Sequence, residues 1–314
     1  MSEQSQLIVE YGIDGKYLNV TNIALEFCVN NNILSLPSGD HQRAMIFGDP
    51  LPNILKNISI TIDNNQVIYP DTESISIDVS KIKISEILSS ISNDRSWYNR
   101  SLNNPIERLS LIHKNLIFLG GNIKDEYPEQ VMVATYLNPD AKVLEIGSNI
   151  GRNTLTIATI LYNQNNLVTL ECDQNTCKLL RQNMRVNHYD FHIEESALSY
   201  RKLIQKGWDT IPSETLLPGY TPVNCVTYQE LESKYNIQFD TLVADCEGAL
   251  FYILTDYPDM LNNLKLIIME NDYHNITHKS YVDSVLLTKG FKRIFFQAGG
   301  WGPCQPNFFE AWSK

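Results

Sequence analysis

No apolar run in this chain approaches the roughly 20 residues that a bilayer-crossing helix needs, so no membrane span is expected. The opening residues MSEQSQLIVEYG carry no basic-then-apolar export signal, and a cytoplasmic location is expected. Cysteine is sparse. Cys28, Cys172, Cys177, Cys225, Cys246 and Cys304 form no CxxC pair and no cluster, which predicts free, mostly buried thiols rather than disulfides or zinc ligands. Basic charge is in deficit, with 25 lysines and arginines against 36 aspartates and glutamates and a net charge of -11. A chain this acidic has no global attraction for phosphate backbones or anionic lipid, so nucleic acid is not expected as a partner. No internal repeat is visible. What is present suffices for a full core: 43% hydrophobic and 10% aromatic residues over 314 positions, as one large domain or two smaller ones.

Two halves read differently. Over residues 7–79, short apolar segments (LIVEYG, YLNVT, ILSLP, NISITI, QVIYP, SISIDV) are broken by turn signals. Residues 58–62 and 75–79 alternate with the period of half-buried strands. Asp14-Gly15 and Asn64-Asn65 stand where hairpins would turn, and Pro37, Pro50, Pro52 and Pro70 oppose long helices. Residues 1–80 are therefore expected to form a small all-β module. Residues 81–124 read as a mostly helical linker or lid, with a polar stretch over 92–104. After Asp140 strands and helices alternate: KVLEIG, LVTLE, FDTLVAD and KLIIME are apolar strands, and TCKLLRQNMRVN and ALFYILTDYPDML are amphipathic helices. FKRIFFQ and NFFEAW close the chain as an antiparallel pair. This pattern predicts an α/β domain over 125–314, Rossmann-like, with a mostly parallel seven-stranded sheet and an antiparallel last strand.

The chemistry is concentrated where the first of these strands ends. Glu145-Ile146-Gly147-Ser148-Asn149-Ile150-Gly151 leads straight into a helix. Glycines at 147 and 151 permit a tight turn with a ligand against bare backbone, beside the unpaired N–H groups of the helix start. The next strand ends at Glu171, where such sheets hold a ribose diol. The spacing E-x-G-x-x-x-G lacks the middle glycine of the dinucleotide fingerprint, since Asn149 takes its place. Glu145 would repel a pyrophosphate but can receive the ammonium of an amino acid. That combination suits S-adenosyl-L-methionine.

The segments VLEIGSNIGRNTLTIA, LVTLECDQNTCKLLRQNMRVN, IEESALS, VTYQELESKYNIQFDTLVADCEGALFYIL and LIIMEN resemble, in order, the FkbM-like methyltransferases. The resemblance covers roughly 125–314. It implies an S-adenosylmethionine-dependent O-methyltransferase whose acceptor is a small molecule or glycan, with a sugar or glycan hydroxyl expected. It also implies a cofactor shell of Glu145, Gly147, Asn149, Gly151, Asn153, Thr154, Glu171, Cys172, Ser196, Ala197 and Asp245, with Ser196 and Ala197 along the adenine. Thr154 and Asp173 have bland readings too, as a helix-start residue and a solvated charge. The family usually has a lysine two residues before the aspartate of its D-x-E-G motif; this chain has Val243. The N-terminal segment resembles a small β domain with a "YG…DVT…GDP" pattern, in which Asn19 replaces the usual aspartate. It implies accessory binding or homo-oligomer contacts, with Tyr11, Asp49 and Lys56 structural.

Methyl transfer to a hydroxyl needs alignment and a base. The candidates at the ends of the fourth and fifth strands are Asp245, Glu247, Glu270, Asp272 and His274. Asp245 and Glu247, two apart, cannot both face the cleft if both are still extended, but both can if the helix starts between them; the bland reading of Glu247 is a helix N-terminal charge favoured by the dipole. His274 and His278, spaced i, i+4, are either a metal pair with Asp272 or solvated loop residues, with the latter expected and no metal. Trp97, Tyr98, Arg100 and Tyr127 either lid the cleft or pack between modules. Two alternatives remain: a non-catalytic protein with a degenerate methyltransferase domain, and a nicotinamide oxidoreductase.

Overall fold

A computed structural model describes residues 6–47, 51, 53–82, 84, 95, 97–98, 101–207 and 209–314. The chain divides into two compact units. One comprises 1–94 with 117–122 and 186–188; the other comprises 95–116, 123–185 and 189–314.

The first unit holds strands β1 (Leu7–Ile13), β2 (Lys16–Asn19), β3 (Val29–Asn30), β4 (Ile33–Leu36), β5 (Asn57–Ile62), β6 (Asn65–Tyr69) and β7 (Ile75–Asp78). They form two antiparallel sheets, ordered β2-β1-β5-β6 and β3-β4-β7. Asp14-Gly15 turns between β1 and β2 as expected, with Gly15 at φ +72°. The second hairpin turns one residue earlier than expected, at Asp63-Asn64. Both have positive φ, as a type I′ turn requires, and Ile62 pairs with Asn65.

The unit is not all-β. Short helices span Thr21–Phe27 and Asp40–Phe47. Each is only about two turns long, too short for a helical apolar period to show in the sequence. Tertiary bonds hold them. The Thr21 hydroxyl accepts from Val9 N at 2.8 Å, and buried Arg43 donates to the carbonyls of Pro37, Pro70 and Glu73. Tyr11 and Lys56 are structural, both bonding Asp40: Tyr11 Oη donates at 2.6 Å and Lys56 Nζ lies at 2.9 Å. Asp49 and Arg100 lie outside the described residues, as does most of the helical reading over 81–94. Later in that linker a helix forms at Pro105–Asn115, its first turn capped by the Asn104 side chain accepting from Ile106 N. Residues 117–122 are not helical and group with the first unit.

The second unit is built on a seven-stranded sheet of β8 (Val143–Ile146), β9 (Leu167–Leu170), β10 (His192–Glu194), β16 (Thr241–Ala244), β17 (Leu266–Glu270), β18 (Lys292–Gln297) and β19 (Phe309–Ser313). Its order is β10-β9-β8-β16-β17-β19-β18; β10 through β17 run parallel and β19 is antiparallel to both neighbours. The expected Rossmann-like sheet is therefore present, antiparallel last strand included. Every residue of β8, β9 and β16 is buried, as strands covered by helices on both faces must be. Between β10 and β16 the chain makes β11 (Ala197–Leu198), β12 (Leu203–Lys206), β13 (Asp209–Pro212), β14 (Thr221–Val223) and β15 (Cys225–Val226). Strands β12–β14 form a small antiparallel sheet of their own, which the sequence reading left unassigned. Among the described residues no helix is long and apolar enough to cross a membrane. All six cysteines are free, although Cys225 is exposed rather than buried.

Candidate functional site

The chain reverses direction across the sheet between β8 and β16, the switch point where ligands of open α/β sheets bind. The loop leaving β8 is held from two sides. Gly147 N and Ser148 N both donate to Leu170 O at 3.0 Å, and Ile146 O accepts from Asp245 N at 3.1 Å. Gly147 has φ +83°, and a Cβ there would stand 1.6 Å from Asp245 O, so only glycine fits. Asn149 follows at φ +49°. The turn leaves backbone open to a cavity of about 1170 Å³, solvent-open mouth included, whose wall includes Gly147, Asn149, Glu171, Cys172, Ser196 and Ala197.

Glu171 is anchored on that wall by the backbone. One carboxylate oxygen accepts from Asn149 N at 3.0 Å and the other from Asp173 N at 2.8 Å. Burial pushes its carboxyl up from the ordinary range, against the pull of those two N–H groups. Ser196 is 4% exposed, and its hydroxyl has no partner among the described residues. A buried hydroxyl on a cavity wall without a partner is a place where a ligand atom fits. Burial lifts the Cys172 thiol to about 11.

Asp245 and Glu247 both line the cavity. The helix starting between them is not the reason, since it begins at Leu250. Instead Glu247 takes φ +51° and Gly248 φ +78°, two left-handed residues in succession. Gly248 N donates to Asp272 Oδ1 at 2.6 Å, fixing the turn. A left-handed glutamate is uncommon and strained, and such strain collects at functional sites. Asp245 is pushed well above the carboxylate range by burial first, then by Glu126, Glu129, Asp272 and Glu247. Glu270, at the end of β17, is raised by burial and by Glu129, Asp245 and Asp272. Burial and Glu247 bring Asp272 to about 7.

Several candidates lie off the cavity wall. Glu145 is 2% exposed and bonds its neighbour across the strands, Thr169, whose Oγ1 donates to its Oε2 at 2.6 Å. It pairs in register with Val243, where the resemblance leads one to expect lysine. Gly151 sits at φ +97° as the N-cap of the helix Arg152–Ile160, and Asn153 and Thr154 are buried in its first turn. Alternation along the strand and the tilt of the helix send these side chains away from the opening.

Of the candidate bases, His274 is not on the wall either. His274 is exposed, with its ring 4.4 Å from that of Trp301. The metal reading of His274 with His278 fails on where the helix starts. The helix starts at Ile276 behind its cap Asn275, so the two histidines do not share a helix face. Nor is His278 a solvated loop residue, because it stacks on Phe251 at 3.8 Å. Trp97, Tyr98 and Tyr127 do not line this cavity.

The sequence reading missed a wall of the site. Leu203, Gln205, Thr210 and Pro212, from the β12–β13 hairpin, line the cavity together with Arg201 and Asp256. Arg201 Nε donates to Asp256 Oδ2 at 2.7 Å. The signal was present as alternation on either side of Gly207 in LIQKGWDTIP.

No family model and no curated protein matches the chain. Solved structures do. The ribosomal protein L11 methylase of Lactobacillus delbrueckii subsp. bulgaricus matches at 12% identity over 62% of this chain and 80% of its own, with a TM-score of 0.41. The O-methyltransferase of Bacillus cereus in complex with S-adenosylhomocysteine matches at 14% identity over 74% and 97%, with a TM-score of 0.38. Fibrillarin of Aeropyrum pernix, with natively bound S-adenosylmethionine, matches at 10% identity over 60% and 74%, with a TM-score of 0.37. Each likeness is partial, and the roles given to residues below rest on the site's own geometry.

Proposed function

We propose that this chain is an S-adenosylmethionine-dependent O-methyltransferase whose acceptor is a hydroxyl of a sugar or glycan. The observation that carries the cofactor half is Glu171. Each of its oxygens takes one backbone N–H, from Asn149 and from Asp173, which leaves further lone pairs at the cavity wall for a ribose diol. Unpartnered Ser196 Oγ and the bare backbone at Gly147 supply the rest of the cradle. When bound, S-adenosylmethionine supplies an electrophilic methyl group on a sulfonium. The residues of this chain orient the acceptor and take its proton.

Glu247 is the base in this reading. It faces the cavity in a strained turn, whereas Asp245 has an oxygen within 4.8 Å of those of Glu129 and Glu270 and is turned toward them. The acceptor class comes from the FkbM-like resemblance, and the net charge of -11 supports a neutral acceptor over nucleic acid. Calorimetry with S-adenosylhomocysteine and with NAD tests the cofactor. Binding of NAD alone would replace the reading with an oxidoreductase; binding of neither would favour a non-catalytic role. Transfer of a labelled methyl group to a panel of sugars, glycans and RNA tests the acceptor.

A further inference from the structure

We infer that Glu129, Asp245 and Glu270 form a site for one divalent cation of the hard, oxygen-preferring kind, magnesium or manganese. The three carboxylates come from separate elements: Glu129 from the first turn of the helix Tyr127–Tyr136, Asp245 from the exit of β16, and Glu270 from the end of β17. One oxygen from each lies within 4.8 Å of the other two. Ligands of a single such ion stand roughly 3–5 Å apart, given metal–oxygen distances of about 2.1–2.5 Å.

A second observation points to a ligand rather than to a mere gathering of acids. Glu129 is 6% exposed, and its Oε2 is buried with no hydrogen-bond partner among the described residues. An unpartnered carboxylate oxygen in the interior is costly, and sharing a proton with a neighbouring acid would leave that second oxygen bare. The largest charge effects on Asp245 come from Glu126, Glu129, Asp272 and Glu247, all acids. Arg152 is engaged with Glu126 at 3.2 Å and Asp125 at 3.3 Å. A divalent ion would occupy the bare Oε2 and neutralise the group together. The donors are all carboxylates, without histidine or thiolate, which selects magnesium, manganese or calcium over zinc or copper. Because Asp245 also lines the cavity, the ion would stand at its wall, where an acceptor hydroxyl could complete its shell. That last step rests on the methyltransferase reading; the binding site itself does not.

The test uses the full chain without cofactor or acceptor, stripped with a chelator and titrated with manganese while free ion is followed by electron paramagnetic resonance. One manganese per chain is expected, displaced by magnesium. Affinity should fall by about tenfold or more in Glu129→Gln, Asp245→Asn and Glu270→Gln, as loss of a charged ligand predicts. Exposed Glu107→Gln should bind as the parent does. A chain that takes up no manganese at about 1 mM overturns the site, since weaker binding falls below the range of functional sites. So does uptake that all three variants retain. Should a variant fail to fold, the parent titration alone decides, because its stoichiometry is read without any substitution. Failure of methyl transfer with manganese bound would sink the proposed function and leave the metal site standing.

Discussion

The carbonyl oxygen of Asp245 lies 1.6 Å from the point that a Cβ on Gly147 would occupy. The two residues end neighbouring strands, and their contact closes the floor of the cavity. A methyl group has nowhere to go, because Asp245 N is itself bonded to Ile146 O. Gly147→Ala should therefore destabilise the chain by about 1–3 kcal/mol through overpacking and a forced left-handed alanine, and it should weaken S-adenosylhomocysteine binding. Urea denaturation and calorimetry read the two effects. Stability equal to the parent would mean that the loop yields and the contact is not a constraint.

Glu171→Ala removes the acceptor of two backbone N–H groups and the group assigned to the ribose. Cofactor affinity should drop by about 1–3 kcal/mol, the cost of a charge-assisted hydrogen bond. Unaltered affinity in a folded variant would refute the ribose assignment.

Burial raises the Glu145 carboxyl to about 7, against a hydrogen bond from Thr169. A carboxyl raised on folding binds its proton more tightly in the native than in the unfolded chain. Its contribution to stability is thus full below the unfolded value of about 4.3 and is lost as pH climbs through about 7, roughly 3–4 kcal/mol in all. Glu145→Gln should flatten stability between pH 5 and 8 relative to the parent, measured by urea titration at each pH. Parallel curves for the two proteins would show that Glu145 titrates normally.

For the chemical step, Glu247→Gln should slow methyl transfer by about a hundred- to ten-thousand-fold while leaving S-adenosylhomocysteine affinity in place. His274→Ala should leave turnover near the parent's, since His274 is exposed beside Trp301 and absent from the wall. A single-turnover assay with saturating cofactor separates rate from binding. The opposite ranking would return the base to His274.

Glu310 is fully buried in β19 and accepts from Lys279, Arg293, Asn307 and Trp312. Lys279, itself 2% exposed, is its innermost charge partner. Lys279→Met should cost about 3–5 kcal/mol, because it leaves a buried carboxylate short of its countercharge. The double variant Lys279→Met/Glu310→Gln should recover part of that loss. A single variant as stable as the parent would show that Arg293 suffices.

The seven-stranded sheet was legible in the sequence because parallel strands buried on both faces must be apolar throughout, and the loop Gly147–Gly151 because only glycine accepts those backbone angles beside a ligand. Glu171 could be placed by its position at a strand end alone. The short helices Thr21–Phe27 and Asp40–Phe47 were not legible: long-range bonds such as Thr21 to Val9 and Arg43 to Pro70, rather than local period, hold them in place. The direction of side chains at the site likewise escaped the sequence. Whether Glu145 turns to the cavity or to Thr169 depends on how β8 and β9 pack together, and His274 stands outside the helix that holds His278 because Asn275 caps its start. Glu129 carried no signal at all, being one acid in an ordinary helical segment. Its meeting with Asp245 and Glu270 brings Glu129 to residues more than a hundred positions away, and only the packing of that helix against β17 and β19 decides it.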